Sequence, residues 1–201
     1  DARLATSDFL GTDKNFVVNA YGTKSDNGGF SDNDQSYGIS AHYPNDSYVG
    51  ELVYRVIEKD FNPALGFVQR KNVRMYRAGA SYNPRPKNLW GIQQMFHDIF
   101  YTQFERLDNG HIESTELHIT PLDYHFQSGD AIHALIDYDR TYERLFEPFQ
   151  ISPGVILMPG EYHNNRFKTT IATARKRRMT AFVNASYGDF WSGSAEQIST
   201  T

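Results

Sequence analysis

No cysteine occurs in the chain, so disulfide scaffolds, thiolate metal centres and cysteine nucleophiles are excluded at the outset. Positive charge is not in excess either: 20 basic against 24 acidic residues leave a formal charge of -4, and nothing in that balance points to nucleic acid. No apolar run approaches the roughly 20 residues that a membrane-spanning helix needs. The mean hydropathy of -0.59 agrees. Such an average is blind to a β-barrel, however, because lumen-facing and lipid-facing residues alternate and cancel. The nucleophile pattern G-x-S-x-G and the zinc pattern H-E-x-x-H are absent. The chain opens at Asp1 without methionine and reads as a mature or trimmed product. What it does have is aromatic residues, 13 Tyr and 14 Phe, set in stretches of strict alternation.

The alternation has a period of two. Ile132, Ala134, Ile136 and Tyr138 fall on one face, and His133, Leu135, Asp137 and Asp139 on the other, a separation that helical spacing does not produce. Similar runs predict strands at 14–22, 35–43, 47–57, 73–83, 89–105, 112–126, 130–142, 166–174 and 179–188, with a weaker one at 2–10. Phe182 is out of phase in its run. At Pro121 the apolar phase changes, from Leu117 and Ile119 to Leu122, Tyr124 and Phe126, which predicts a bulge or an interrupted strand.

The connections alternate between short turns and longer loops, as in a meander with all its short turns at one end. Aromatic residues close the apolar runs: Tyr37 and Tyr43, Tyr76 and Tyr82, Tyr138 and Tyr142, Tyr187 with Phe190 and Trp191. The expectation is an all-β, antiparallel up-and-down meander forming a transmembrane β-barrel. About nine or ten strands would lie in this segment of a larger barrel, as a single region over residues 1–201. The competing expectation is a soluble β-sandwich, a carbohydrate-binding module, with the apolar face packed inward. Small residues such as Ala41, Ala78, Ala80, Ala134, Ala181 and Ala185 favour the barrel, since they fill a core poorly but cost nothing against lipid.

Four ordered segments carry a resemblance. Asp60, Phe61, Asn62, Pro63, Gly66, Phe67 and Arg70, with Val68 between, read D-F-N-P-x-x-G-F-V-x-R. Residues 81–86 read S-Y-N-P-R-P, residues 146–155 read F-E-P-F-Q-I-S-P-G-V, and Tyr187-Gly188-Asp189-Phe190 is followed by Gly193. Together they resemble the signatures of the bacterial family called domain of unknown function 5916. The resemblance implies a C-terminal β-barrel region of an outer-membrane protein, normally preceded by a family-9-like carbohydrate-binding domain. This sequence shows no such domain, nor the further strands that the resemblance implies after Tyr187, so it reads as part of a longer barrel chain. The implied place is the bacterial outer membrane, with lipid and possible saccharide as partners; the family's activity is unassigned.

His111, Glu113, Glu116, His118 and His125 are the densest cluster, but strand geometry divides them between two faces, so neither metal nor cofactor is expected. His133, Asp137 and Asp139 share a face, with Ser128 and Ser152 near in sequence, which keeps open an outer-membrane or periplasmic hydrolase with its site at the loop rim. The leading expectation is a non-enzymatic barrel segment, in which Glu51, Arg55, Arg77, His133, Asp137 and Asp139 line the lumen and serve passage or surface handling of a solute. The basic run Arg175 to Arg178 reads as a solvated hairpin end. Phe61, Pro63 and Phe67 in one loop, and Phe146, Pro148, Phe149, Ile151 and Pro153 in another, are expected to fold onto each other or into the lumen. The other reading of these loops is a docking surface for a partner or glycan.

Overall fold

Stretches that alternate apolar and polar side chains satisfy their backbone groups by pairing with one another, and here each pairs with the next in sequence. The computed structural model describes residues 1–26, 32–63 and 66–201. Its strands are β1 (Ala2–Thr6), β2 (Phe16–Lys24), β3 (Gln35–Pro44), β4 (Tyr48–Ile57), β5 (Val73–Tyr82), β6 (Ile92–Arg106) and β7 (Ile112–Phe126). They continue with β8 (Ala131–Leu145), β9 (Phe149–Ser152), β10 (Val155–Leu157), β11 (Gly160–Ala172), β12 (Phe182–Phe190) and β13 (Gly193–Thr200). All but β9 and β10 form one 11-stranded antiparallel sheet in the order β1 to β8, β11, β12, β13. β9 and β10 make a separate two-stranded ribbon between β8 and β11.

The all-β meander matches the expectation, and several details correct it. The sheet contains 11 strands, more than the nine or ten expected. A strand does follow Tyr187: β13 pairs with β12 across the turn at Trp191. β11 begins at Gly160, six residues before the predicted start at Arg166, and part of the long loop after β8 is the β9–β10 ribbon. β12 begins at Phe182, the residue that broke the phase of its run. β1 and β13 bound the sheet and do not pair with each other, so the sheet is open. The loop-length pattern is also less regular than expected, because the connections 7–15, 83–91 and 173–181 are longer than 107–111 at the opposite end. Residues 27–31, within the loop predicted after β2, lie outside the described residues.

Register sorts the side chains, since cross-strand partners share a face. One row runs Leu4, Val18, Ala41, Leu52, Ala78, Tyr101, Leu117. One residue along, on the other face, runs His42, Glu51, Gly79, Phe100, His118, Asp139, Arg166. Burial is inverted relative to a protein with a dry core. On the apolar face Leu52 is 62% and Ile39 52% exposed, whereas on the polar face Ser36, Thr102, Thr120 and Asp139 are all at 8% or less. The buried apolar residues Val56, Phe61, Val73, Ile92, Ala131, Leu157 and Ala174 sit at strand ends and in loops. Among the described residues no second sheet covers the apolar face.

Two bulges set which side chains reach the polar face. β7 carries one extra residue near Pro121 relative to both neighbours, the position of the predicted phase change. β8 carries two extra residues at Ala134 and Leu135, with Ala134 at φ 48°, and the Thr169 hydroxyl donates toward the carbonyls of both. The turns at this end are tied by Asp130, which accepts from Ser128, from the Ala174 amide and from Arg177. Those hydrogen bonds, Arg177's first, hold its carboxyl well below the usual carboxylate range. Arg177 is thus engaged, although the basic run was expected simply to be solvated.

Aromatic rings lie across two glycines of the polar face. A Cβ on Gly79 would fall 2.1 Å from the Phe100 ring, and one on Gly38 would fall 2.8 Å from both the Tyr21 ring and the Tyr54 carbonyl. Gly22, in the same sheet, has open space at its Cβ position. Gly38→Ala is therefore expected to lower stability by about 1–3 kcal/mol, and Gly22→Ala to be neutral or stabilising by up to about 1 kcal/mol, as read from denaturant midpoints. Equal midpoints for the two variants would show that ring packing on Gly38 contributes nothing.

Candidate functional site

The polar face concentrates the charged and hydrogen-bonding side chains, and register places all six residues expected to line a lumen on it: Glu51, Arg55, Arg77, His133, Asp137 and Asp139. They fall into separate groups. In the first, the Arg77 guanidinium donates to Glu51 and, at 3.2 Å, to Thr102, while standing 4.9 Å over the Phe100 ring that covers Gly79. His42 lies 3.9 Å from the same glutamate. Arg55 lies 6.0 Å from the Tyr21 ring, which covers Gly38, and has no carboxylate in ion-pair range among the described residues. Arginine over an aromatic ring over glycine thus occurs twice, a cation–π stack that stiffens a long side chain.

The second group spans β7, β8 and β11. His118 Nδ1 is 2.7 Å from Asp139 and 3.3 Å from Asp137; its Nε2 is 3.0 Å from the Thr120 hydroxyl; Lys168 donates to Asp139. Carboxylate, imidazole and hydroxyl in series form the relay of a hydrolytic triad. Thr120, however, is only 5% exposed, so no substrate carbonyl can approach its hydroxyl, and Lys168 already neutralises one carboxylate. Ser128 and Ser152 are elsewhere: Ser128 serves Asp130 in the β7–β8 turn, and Ser152 ends β9. The cluster lies along the strands and not at the loop rim that sequence suggested. It is an ion group of two carboxylates and one ammonium, with the His118 imidazole hydrogen-bonded between Asp139 and Thr120.

In the third group Asp123 and His125 on β7 face His133 on β8. The five-residue cluster suggested by sequence does not assemble. His118 and His125 go to different groups, and Glu113 turns to Arg70. Missed altogether were Asp123, Thr120 and Lys168, whose partners lie on neighbouring strands. The Pro121 phase change was the available signal for Asp123 and His125, because an extra residue there moves both to the polar face.

At the end bearing the longer loops, the signature segment is anchored. Phe61 is buried, the Asn62 amide donates to Ser25, and the Asp60 amide to the Asn33 carbonyl. The Gly66 amide donates to the Pro63 carbonyl, while Phe67 is 90% exposed, so only one of the two phenylalanines tucks in as expected. Ala64 and Leu65 lie outside the described residues. Arg70 reaches the sheet, its Nη1 donating to Glu113 at 2.9 Å and its Nη2 to both Glu143 oxygens at 3.1 and 3.2 Å, with its guanidinium 4.9 Å from Phe104. Arg106 takes the other Glu113 oxygen and covers the Phe146 ring of the second loop. Arg70 of the first loop and Phe146 of the second are thus linked through the strand residues Glu113 and Arg106, not by direct packing of the two loops' aromatic rings.

The chain matches no protein-family model, no curated protein and no solved structure. The likeness to domain of unknown function 5916 rests on the four quoted segments alone.

Proposed function

We propose that this chain is a segment of the wall of a bacterial outer-membrane β-barrel, with its apolar face against lipid and its polar face toward an interior. It serves passage or surface handling of a solute and is not a catalyst. The observation that carries this reading is the inverted burial: the sheet shows its Leu, Ile and Tyr side chains and shelters Ser, Thr and Asp. In water an uncovered apolar face of this extent is a liability, whereas against hydrocarbon it is the stable arrangement.

Two further features support it. Aromatic side chains form a band at one strand end: Phe9 on Phe16 at 4.5 Å, Phe9 near Tyr43 at 6.2 Å, Tyr48 on Tyr82 at 5.0 Å, and Tyr82 on His97 at 5.9 Å. This is the placement of an interfacial girdle. The apolar band also slopes across the ladder. The row that begins at Leu4 leaves it at Arg140 and Asn165. On β8, β11 and β12 the apolar residues Ile132, Ile136, Phe167, Ile171, Val183 and Ala185 lie displaced toward the strand end that carries the aromatic band. The drift is about five residues over six strand steps, a slope of about 30°, close to the tilt of strands crossing a membrane. A band that is level with the bilayer must slope in this way relative to tilted strands.

On this reading the open edges β1 and β13 pair with further strands, because hydrocarbon does not tolerate unpaired backbone. The family resemblance supports a longer barrel chain and a saccharide as the solute. The hydrolase alternative has no accessible nucleophile beside His118.

For the barrel refolded into vesicles, Leu52→Arg is expected to cost about 2–4 kcal/mol, and Val53→Arg on the opposite face less than about 1 kcal/mol. Equal costs on the two faces would contradict a lipid-facing stripe. For passage, stepwise conductance is expected in planar bilayers, with reversal potentials shifted toward cations in Arg55→Gln, which removes a positive charge that has no carboxylate in ion-pair range among the described residues. Absence of conductance, or unshifted selectivity, would remove the passage role.

A further inference from the structure

We propose that Asp123, His125 and His133 form a binding site for a divalent transition-metal cation of the zinc type, on the polar face beside the β7–β8 turn. Their ligand atoms all lie within 4.8 Å of one another. Asp123 presents one oxygen to each ring, Oδ1 at 3.2 Å from His125 Nε2 and Oδ2 at 3.6 Å from His133 Nδ1. Two donors bonded to one tetrahedral Zn²⁺ at about 2.0–2.1 Å are themselves separated by about 3.3 Å. The two separations run to different oxygens of one carboxylate, and the donor atoms of the three residues lie within 4.8 Å of one another, so closing them onto one ion takes side-chain shifts of about 1–1.5 Å. Two imidazoles and a carboxylate are the borderline donor set that such cations prefer over Mg²⁺ or Ca²⁺.

The backbone is arranged to bring these three together. The extra residue at Pro121 turns Asp123 and His125 to the polar face, and the two-residue bulge at Ala134 immediately follows His133. Phe96 packs on His125 with centroids 4.9 Å apart, and the two imidazoles stand edge to face at 4.7 Å. The carboxylate itself is short of partners. Asp123 Oδ1 is buried and accepts no hydrogen bond, and no Lys or Arg pairs with Asp123 among the described residues. The other trio with similar spacing, His118, Asp137 and Asp139, differs on this point, because the Lys168 ammonium already sits on Asp139. A fixed cation thus meets one of the two carboxylates there, and none meets Asp123 among the described residues. A bound ion would staple β7 to β8 at their turn, and with three protein ligands it would keep a coordination position open toward the polar face.

The test is calorimetric titration of the full chain in detergent with Zn²⁺ alone, backed by the visible spectrum of Co²⁺ as a report of tetrahedral nitrogen and oxygen ligation. The expected result is one saturable equivalent, weakened at least about tenfold in His133→Ala and in His125→Ala, since even loss of an outer partner of a metal ligand has effects of that size. Asp123→Asn, nearly isosteric, is expected to weaken binding while leaving the far-ultraviolet dichroism unchanged, which separates ligation from folding. His118→Ala is expected to bind as the unaltered chain does. Absence of saturable binding, undiminished affinity in His125→Ala and His133→Ala, or loss of binding in His118→Ala would each overturn the proposal.

Discussion

Hydrogen bonding along one continuous antiparallel ladder is what the structure rests on, because little apolar core exists to share the work. The buried apolar side chains are few and sit at strand ends and in loops. Each strand of the sheet pairs with its nearest sheet neighbour in sequence, so closing the ladder costs little loop entropy at any step. In water a backbone hydrogen bond contributes only about 0.5–1.5 kcal/mol net, but the same bond strengthens where water is excluded. On the proposed reading, hydrocarbon on the apolar face would both remove the cost of exposing Leu52, Ile39 and Ile99 and strengthen the bonds between their strands.

On the other face the charges come in compensated groups. Arg77 with Glu51, Lys168 with Asp139, and Arg70 with Glu113 and Glu143 each combine an ion pair with a hydrogen bond or a ring beneath the guanidinium. Such pairing allows many ionised groups to crowd one sheltered surface. Some groups depart from it. Among the described residues Arg55 has a ring but no carboxylate in ion-pair range, Arg166 reaches only the Ser186 hydroxyl, and Asp123 has imidazoles but no Lys or Arg.

Much of the fold was legible because period-two alternation has a single structural solution, and the phase change at Pro121 revealed its bulge. The bulge at Ala134 was not legible, since inserting two residues preserves parity: Ile132, Ile136 and Tyr138 stay in phase across it. β13 was missed because Gly193–Thr200 carries Ile198 as its one large apolar residue, so no stripe exists to read; the β12 register and the Trp191 turn place it. β9 and β10 are short, and their Pro153-Gly154 turn was the only cue. For the polar face, alternation along each strand selected Glu51, Arg55, Arg77, His133, Asp137 and Asp139 correctly as sharing one side. Which of them touch was hidden, because His118 meets Asp139, and Asp123 meets His133, through cross-strand register that a single strand does not encode.

The most direct measurement places nitroxide labels one at a time along β3 and β11 of the barrel in lipid vesicles, and compares relaxation by oxygen, which concentrates in hydrocarbon, with relaxation by a water-soluble nickel complex. The expected result is a period-two alternation in which Ile39, Ala41, Phe167 and Ile171 respond to oxygen and Ser40, His42, Arg166 and Lys168 do not. The oxygen maximum should also move toward the turn following β11, as the sloped apolar band requires. Oxygen and nickel responses that fail to alternate, or nickel access at Ala41 and Phe167, would contradict a hydrocarbon-facing stripe and the barrel wall built on it.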